Sequence, residues 1–184
     1  MGIAGAYTPE KLLMCVLSSS PGKAGELRDL LVEQWGDIDF SSEPIPFTAT
    51  DYYDREMGTG IVRTFLSFRR LVDPSGLSRI KLRTNSLEDR FRVEGSRRVN
   101  LDPGLMALSR FTLATTKESA HRIPLTDGIF AEITLLYSKA GFRALEWTYP
   151  DFRTPAYHSA LNEIRALYKV QLQAPRTLSS SSAT

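Results

Sequence analysis

A chain of 184 residues with 42% apolar and 24% charged side chains has the balance of one globular domain and lies far from a disordered composition. Its single cysteine excludes an internal disulfide and a thiolate metal site, and its longest apolar run, Leu12 to Leu17, is far too short to cross a bilayer. The net charge of +2 hides an asymmetry: residues 1–60 carry 4 cations and 10 carboxylates, whereas residues 61–98 carry 10 and 4. Met1 to Glu10 lacks a basic start followed by an apolar stretch, so a cytoplasmic protein without a leader is expected.

Lys11 to Ser18 reads as a buried strand closed by a Ser-Pro-Gly turn. Leu27, Leu30, Leu31 and Trp35 follow helical spacing from Lys23 onward, and Gly36 is a natural stop. Pro44 and Pro46 restrict Asp37 to Phe47 to an edge strand or extended arm. Asp51 to Gly60 reads as a loop, and Ile61 to Phe68 as a strand rich in β-branched and aromatic residues. A second helix fits Gly76 to Val93, with Leu77, Ile80, Thr84, Leu87 and Phe91 on one face.

Arg97 to Leu101 is expected to be a short strand broken by a turn at Asp102-Pro103-Gly104, followed by a strand over Phe111 to Thr115. His121 to Leu125 and Ile129 to Tyr137 flank Asp127-Gly128, the strongest hairpin signal in the chain. A proline-bounded loop from Tyr149 to Pro155 leads into a last helix over Ala156 to Leu172. The class is α+β: a ferredoxin-like βαββαβ start extended by antiparallel hairpins and a C-terminal helix. Residues 1–10 are expected to be an N-terminal arm, 11–172 a single domain and 173–184 a disordered tail.

Ser18-Ser19-Ser20-Pro21-Gly22-Lys23 resembles a phosphate loop but lacks its first glycine and its hydroxyl, so it reads as a strand-to-helix turn. Lys117, His121 and Arg122 gather two fixed cations and a titratable ring in one loop, which suits proton transfer beside an anionic group. Lys117 and His121 are the catalytic candidates. Arg97, Arg98, Asn100, Arg122, Tyr149 and Arg153 are the candidates for ligand binding, although neighbouring Arg97 and Arg98 in a strand point to opposite faces. Asp51, Glu56 and Asp102 are the candidate ligands for Mg²⁺, against the alternative of a solvated loop whose charges pair with Arg55. Arg79, Arg83 and Arg90 flank the second helix as a nucleic-acid footprint or as an ordinary solvated face. Glu132 faces either a cleft or solvent. The aromatics of Trp147 to Phe152 either wall a pocket or pin a loop.

Asp51-Tyr52-Tyr53 with Glu56-Met57-Gly58, Arg97 through Gly104, Lys117 with His121-Arg122-Ile123, and Trp147 through Arg153 occur in that order. Together they resemble the bacterial domain-of-unknown-function family 4416, over roughly Lys11 to Leu172. The resemblance implies no established activity. A loose GTP-binding label attached to it has no support from the incomplete phosphate loop or from any Asn-Lys-x-Asp motif. The leading expectation is a domain that binds or acts on a small phosphorylated or carboxylated ligand through the Arg/Lys/His cluster. The alternatives are a nucleic-acid accessory protein using residues 61–98 and a non-catalytic partner-binding scaffold, with oligomeric state open.

Overall fold

β1 (Glu10–Ser18) is buried along almost its whole length because both of its faces are covered. Leu12, Met14 and Val16 point into one apolar cluster, while Leu13 and Cys15 point into another. That two-sided burial accounts for a continuous apolar run where a half-exposed strand would alternate. The computed structural model describes residues 2–50 and 53–174. Of the expected tail at 173–184, Gln173 ends the last helix and residues 175–184 lie outside the described residues, and Glu10 belongs to β1 rather than to an arm.

After β1 come α1 (Ala24–Trp35), β2 (Ile38–Ser41), β3 (Ile45–Pro46) and a single-turn α2 (Asp54–Met57) inside the expected loop. β4 (Val62–Val72) leads to α3 (Leu77–Glu88), and β5 (Arg92–Val93) pairs with β6 (Ser96–Arg97) as a small separate ribbon. β7 (Val99–Met106), β8 (Arg110–Thr115), β9 (Ile123–Pro124), β10 (Phe130–Ser138) and β11 (Gly141–Ala144) follow, and α4 (Pro155–Gln173) closes the described chain. The main sheet runs β11-β10-β8-β7-β1-β4-β2, and every pairing in it is antiparallel. Its β7-β1-β4-β2 half, with α1 and α3 as crossovers, is the split βαβ core expected of a ferredoxin-like α+β domain.

α1 and α3 pack Leu27, Leu30, Leu31, Leu77 and Leu87 on the Leu12 face, whereas α4 packs Tyr157, Leu161, Ile164 and Tyr168 on the Cys15 face. Thr154 caps α4 by accepting from the Tyr157 amide, with Pro155 in the first turn. Asp127 and Gly128 both take positive φ, 59° and 71°, as a tight hairpin turn requires. No helix of the described residues is long and apolar enough to cross a membrane.

The Asp102-Pro103-Gly104 turn expected from sequence is absent: β7 runs straight through it, paired with β1 from Val99 to Met106. β8 joins β7 only at Gly104↔Leu113, Leu105↔Thr112 and Met106↔Phe111. Pro103 therefore sits where β7 has a neighbour on one side alone, the place a strand tolerates a missing donor. Beyond Pro103 the two strands separate, and the sheet forks.

Cys15 is fully buried at the centre of the sheet, and burial pushes its thiol well above the usual range. Its labelling by a soluble thiol reagent is expected to be slow in the native protein and fast after unfolding. Rapid native labelling would contradict the two-sided burial of β1.

Candidate functional site

The fork between β7 and β8 opens onto a cavity of about 800 Å³. Asn100 and Asp102 line it from β7, and Leu113 to Lys117 from β8 and its continuation. Glu56 comes from α2 and Arg63 from β4, Lys81 and Glu88 from α3, Arg97 from β6, Glu132 from β10, and Tyr149 to Phe152 from the proline-bounded loop. The wall is assembled from most of the chain, so no local motif contains it.

Asp102 is the hub of the floor. Its Oδ1 lies 3.4 Å from Lys81 Nζ, and its Oδ2 is 3.5 Å from Arg63 Nη1 and accepts from Asn100 Nδ2 at 2.8 Å. Burial works against its charge, but Lys81 and Arg63 hold the carboxyl below the usual carboxylate range. Arg63 reaches the Cys15 carbonyl at 3.3 Å and Asp151 Oδ2 at 3.4 Å, beneath the rings of Phe47, Phe152 and Tyr157. Burial pushes the Asp151 carboxyl up despite that guanidinium. One guanidinium thus lies between two carboxyls whose environments shift them in opposite directions.

Arg97 forms the second knot. Its Nε and Nη2 grip both oxygens of Glu56 at 2.7 and 2.8 Å, and its Nη1 donates to Glu88 at 2.9 Å and Asn100 Oδ1 at 3.2 Å. Glu88 also accepts the Leu101 amide at 2.8 Å, fixing the end of α3 to β7, while burial pushes its carboxyl up. On the far wall, Glu132 Oε2 accepts from Arg122 Nε at 2.8 Å and lies 3.0 Å from His121 Nε2. Arg122 donates to Tyr149 Oη at 2.7 Å and to the Lys117 carbonyl at 2.8 Å, and His121 stacks on Trp147 with centroids 5.0 Å apart.

Of the residues expected from sequence, Arg97, Asn100, Lys117, Tyr149, Glu56 and Asp102 line this cavity. His121 and Arg122 stand behind its wall, through Glu132 and Tyr149. His121 is placed as a partner of Glu132, with its other ring nitrogen 3.1 Å from Ser119 Oγ. Arg98 is turned away, as a residue next to Arg97 in an extended segment must be, and donates to the Met57 carbonyl. Arg153 pins the loop by donating to the carbonyls of Leu145, Glu146 and Thr148.

Two of the three expected magnesium ligands are paired with cations in the described residues. Both Glu56 oxygens belong to Arg97, Asp102 serves two buried cations, and Asp51 lies outside the described residues. Among the described residues no group of three His, Cys, Asp or Glu side chains is arranged to hold a metal ion. Lys23 of the phosphate-loop look-alike is exposed and pairs with Glu26, away from the cavity.

Arg63, Lys81, Glu88 and Asp151 were not singled out by motif reading. A helical-wheel signal for two of them exists: Lys81 and Glu88 lie four and eleven residues after Leu77 on the buried face of α3. Residues 8–168 match the family model described as a domain of unknown function, DUF4416. No curated protein and no solved structure matches the chain.

Proposed function

We propose that this chain, which belongs to the DUF4416 family, binds or acts on a small phosphorylated or carboxylated ligand in the cavity at the β7–β8 fork. The observation that carries the reading is the cavity itself: about 800 Å³, with Arg63, Arg97 and Lys117 in its wall beside the rings of Tyr53, Tyr149 and Phe152. Concave sites of this size with convergent charged groups and apolar walls are where small ligands bind. Lys117, an exposed cation of the wall, meets the incoming anion together with Arg97 and Arg63, which their carboxylate partners hold in place. The lone, buried Cys15 suits a reducing compartment, and the reading places the protein in a bacterial cytoplasm.

Thermal-shift screening followed by calorimetry tests it. A ligand present at one hundred times its Kd adds about 2.7 kcal/mol of apparent stability. At least one carboxylate or phosphate is expected to raise Tm, and Lys117→Ala is expected to abolish that rise when each protein is compared with its own ligand-free Tm. A rise that survives in Lys117→Ala would remove Lys117 from the site. No rise with any such compound would contradict the reading.

A second reading, nucleic-acid binding through residues 61–98, rests on Arg70, Arg79 and Arg83 lining a shallow groove of about 340 Å³ beside Trp35. It is the weaker one, because Arg63, Lys81, Arg92 and Arg97 of the same segment face the cavity, and their charges are matched there by carboxylates. Affinity for mixed RNA that falls steeply with salt would favour it.

A further inference from the structure

We propose that the ligand of the cavity is bifunctional: beside its anionic group it carries an amino or hydroxyl donor, received by Glu132 Oε1, and the anionic group is a carboxylate. The inference rests on the anionic-ligand reading and adds the second pole to it.

Glu132 is 2% exposed, yet it lines the cavity. Its two oxygens are unequal. Oε2 is taken by Arg122 and His121, whereas Oε1 is buried with no hydrogen-bond partner. A buried carboxylate oxygen without a donor is costly, so a native site that keeps one is arranged to receive a donor from elsewhere. The side chain cannot swing away to find one, since Arg122 is itself held by Tyr149 and the Lys117 carbonyl.

Arg63 supplies the complementary pole. It lines the same cavity, its Nε is buried without a partner, and its other contacts are long, at 3.3 to 3.5 Å. Glu132 and Arg63 both line one cavity and each holds a buried polar atom without a partner, which suits a molecule with a donor and an acceptor of its own. By contrast, Glu56 and Arg97 are already paired with each other, so neither leaves a buried atom without a partner.

Charge selects among such molecules. Among the described residues, six carboxylates and five cations line the cavity, with Arg122 directly behind Glu132. The walls are close to neutral, which suits a singly charged carboxylate, alone or balanced by the ligand's own ammonium, over a doubly charged phosphate. The chemical class is therefore an amino acid or hydroxy acid.

Calorimetry on the full chain with matched sets tests this: an amino acid, the hydroxy acid and the plain carboxylic acid on the same carbon skeleton, from three to six carbons, with inorganic phosphate alongside. The amino or hydroxy member of at least one set is expected to bind roughly 10- to 100-fold more tightly than its plain acid. Glu132→Gln is expected to lose that preference while keeping the plain acid's affinity. The wild-type ratio stands on its own if the variant does not fold. Equal affinities within every set, or phosphate binding more tightly than every acid, would overturn the inference and leave the anion site standing. No binding of any acid or of phosphate would overturn both.

Discussion

Asp102→Asn is expected to lower the unfolding free energy by about 3–5 kcal/mol, because it leaves two buried cations without their common counter-ion. The side chains of Arg63 and Lys81 are 5% and 8% exposed, and both depend on Asp102 from opposite sides. Lys81 keeps the Leu101 carbonyl at 2.8 Å, but its next carboxylate, Glu88, is 4.0 Å away. Asp37→Asn is the control: the Arg69–Asp37 pair is 3.9 Å long with both side chains mostly exposed, so its loss is expected to leave the melting curve in place.

The same variant carries a pH signature. Lys81 and Arg63 hold the Asp102 carboxyl below its ordinary value despite burial. Its stabilisation is therefore full above the ordinary carboxylate value of about 4 and is lost as pH falls through its lower folded value. Asp151 and Glu88 behave oppositely, since burial raises both; their contribution is full below about 4 and declines as pH rises through their folded values. Denaturant melts from about pH 3 to 7 are expected to show acid-side loss in the wild type and a flatter acid side in Asp102→Asn. A stability loss below about 1 kcal/mol in the variant would show that the two cations do not depend on this carboxylate.

Gly104→Ala is expected to cost about 1–3 kcal/mol, the range that overpacking produces. An added Cβ would lie 2.6 Å from Phe111 Cε2, 2.8 Å from its Cζ and 2.9 Å from the Thr112 carbonyl oxygen. The ring can tilt, but the carbonyl belongs to the β7–β8 ladder at the root of the fork. The cost is expected to shrink in a Phe111→Leu background, leaving the backbone contact as the remainder. Wild-type stability in Gly104→Ala would mean that the strands do not approach as closely as the fork requires.

Gly104 also marks where sequence reading stopped. An Asp-Pro-Gly triplet matches a turn by composition. In the fold each residue has a separate duty inside a strand: a counter-ion, the end of a ladder, and room for a ring. Those duties are set by Arg63 and Lys81 earlier in the chain and by β8 later in it, so they have no local signature. β1, α1, α3, α4 and the Asp127-Gly128 hairpin were legible because period and turn chemistry are local. Arg97, Asn100, Lys117 and Tyr149 were found as motif residues and do meet at the cavity. Arg63 was invisible as a site residue because a lone arginine in an apolar strand looks the same whether it points to solvent or to a floor of aromatic rings. Arg98 and Arg153 donate to backbone carbonyls, of the distant Met57 and of the adjoining loop respectively, which motif spacing cannot reveal.

The most direct test of the cavity as the functional site is heteronuclear NMR of the full chain with the tightest-binding carboxylate or phosphate from the screen. Chemical-shift changes are expected to concentrate on Asn100 to Asp102, on Leu113 to Lys117 and on Tyr149 to Phe152, with Arg63 Nε and the Glu132 carboxylate among the strongest. Changes confined to the groove of Trp35, Arg79 and Arg83, with the β7–β8 fork unmoved, would contradict it.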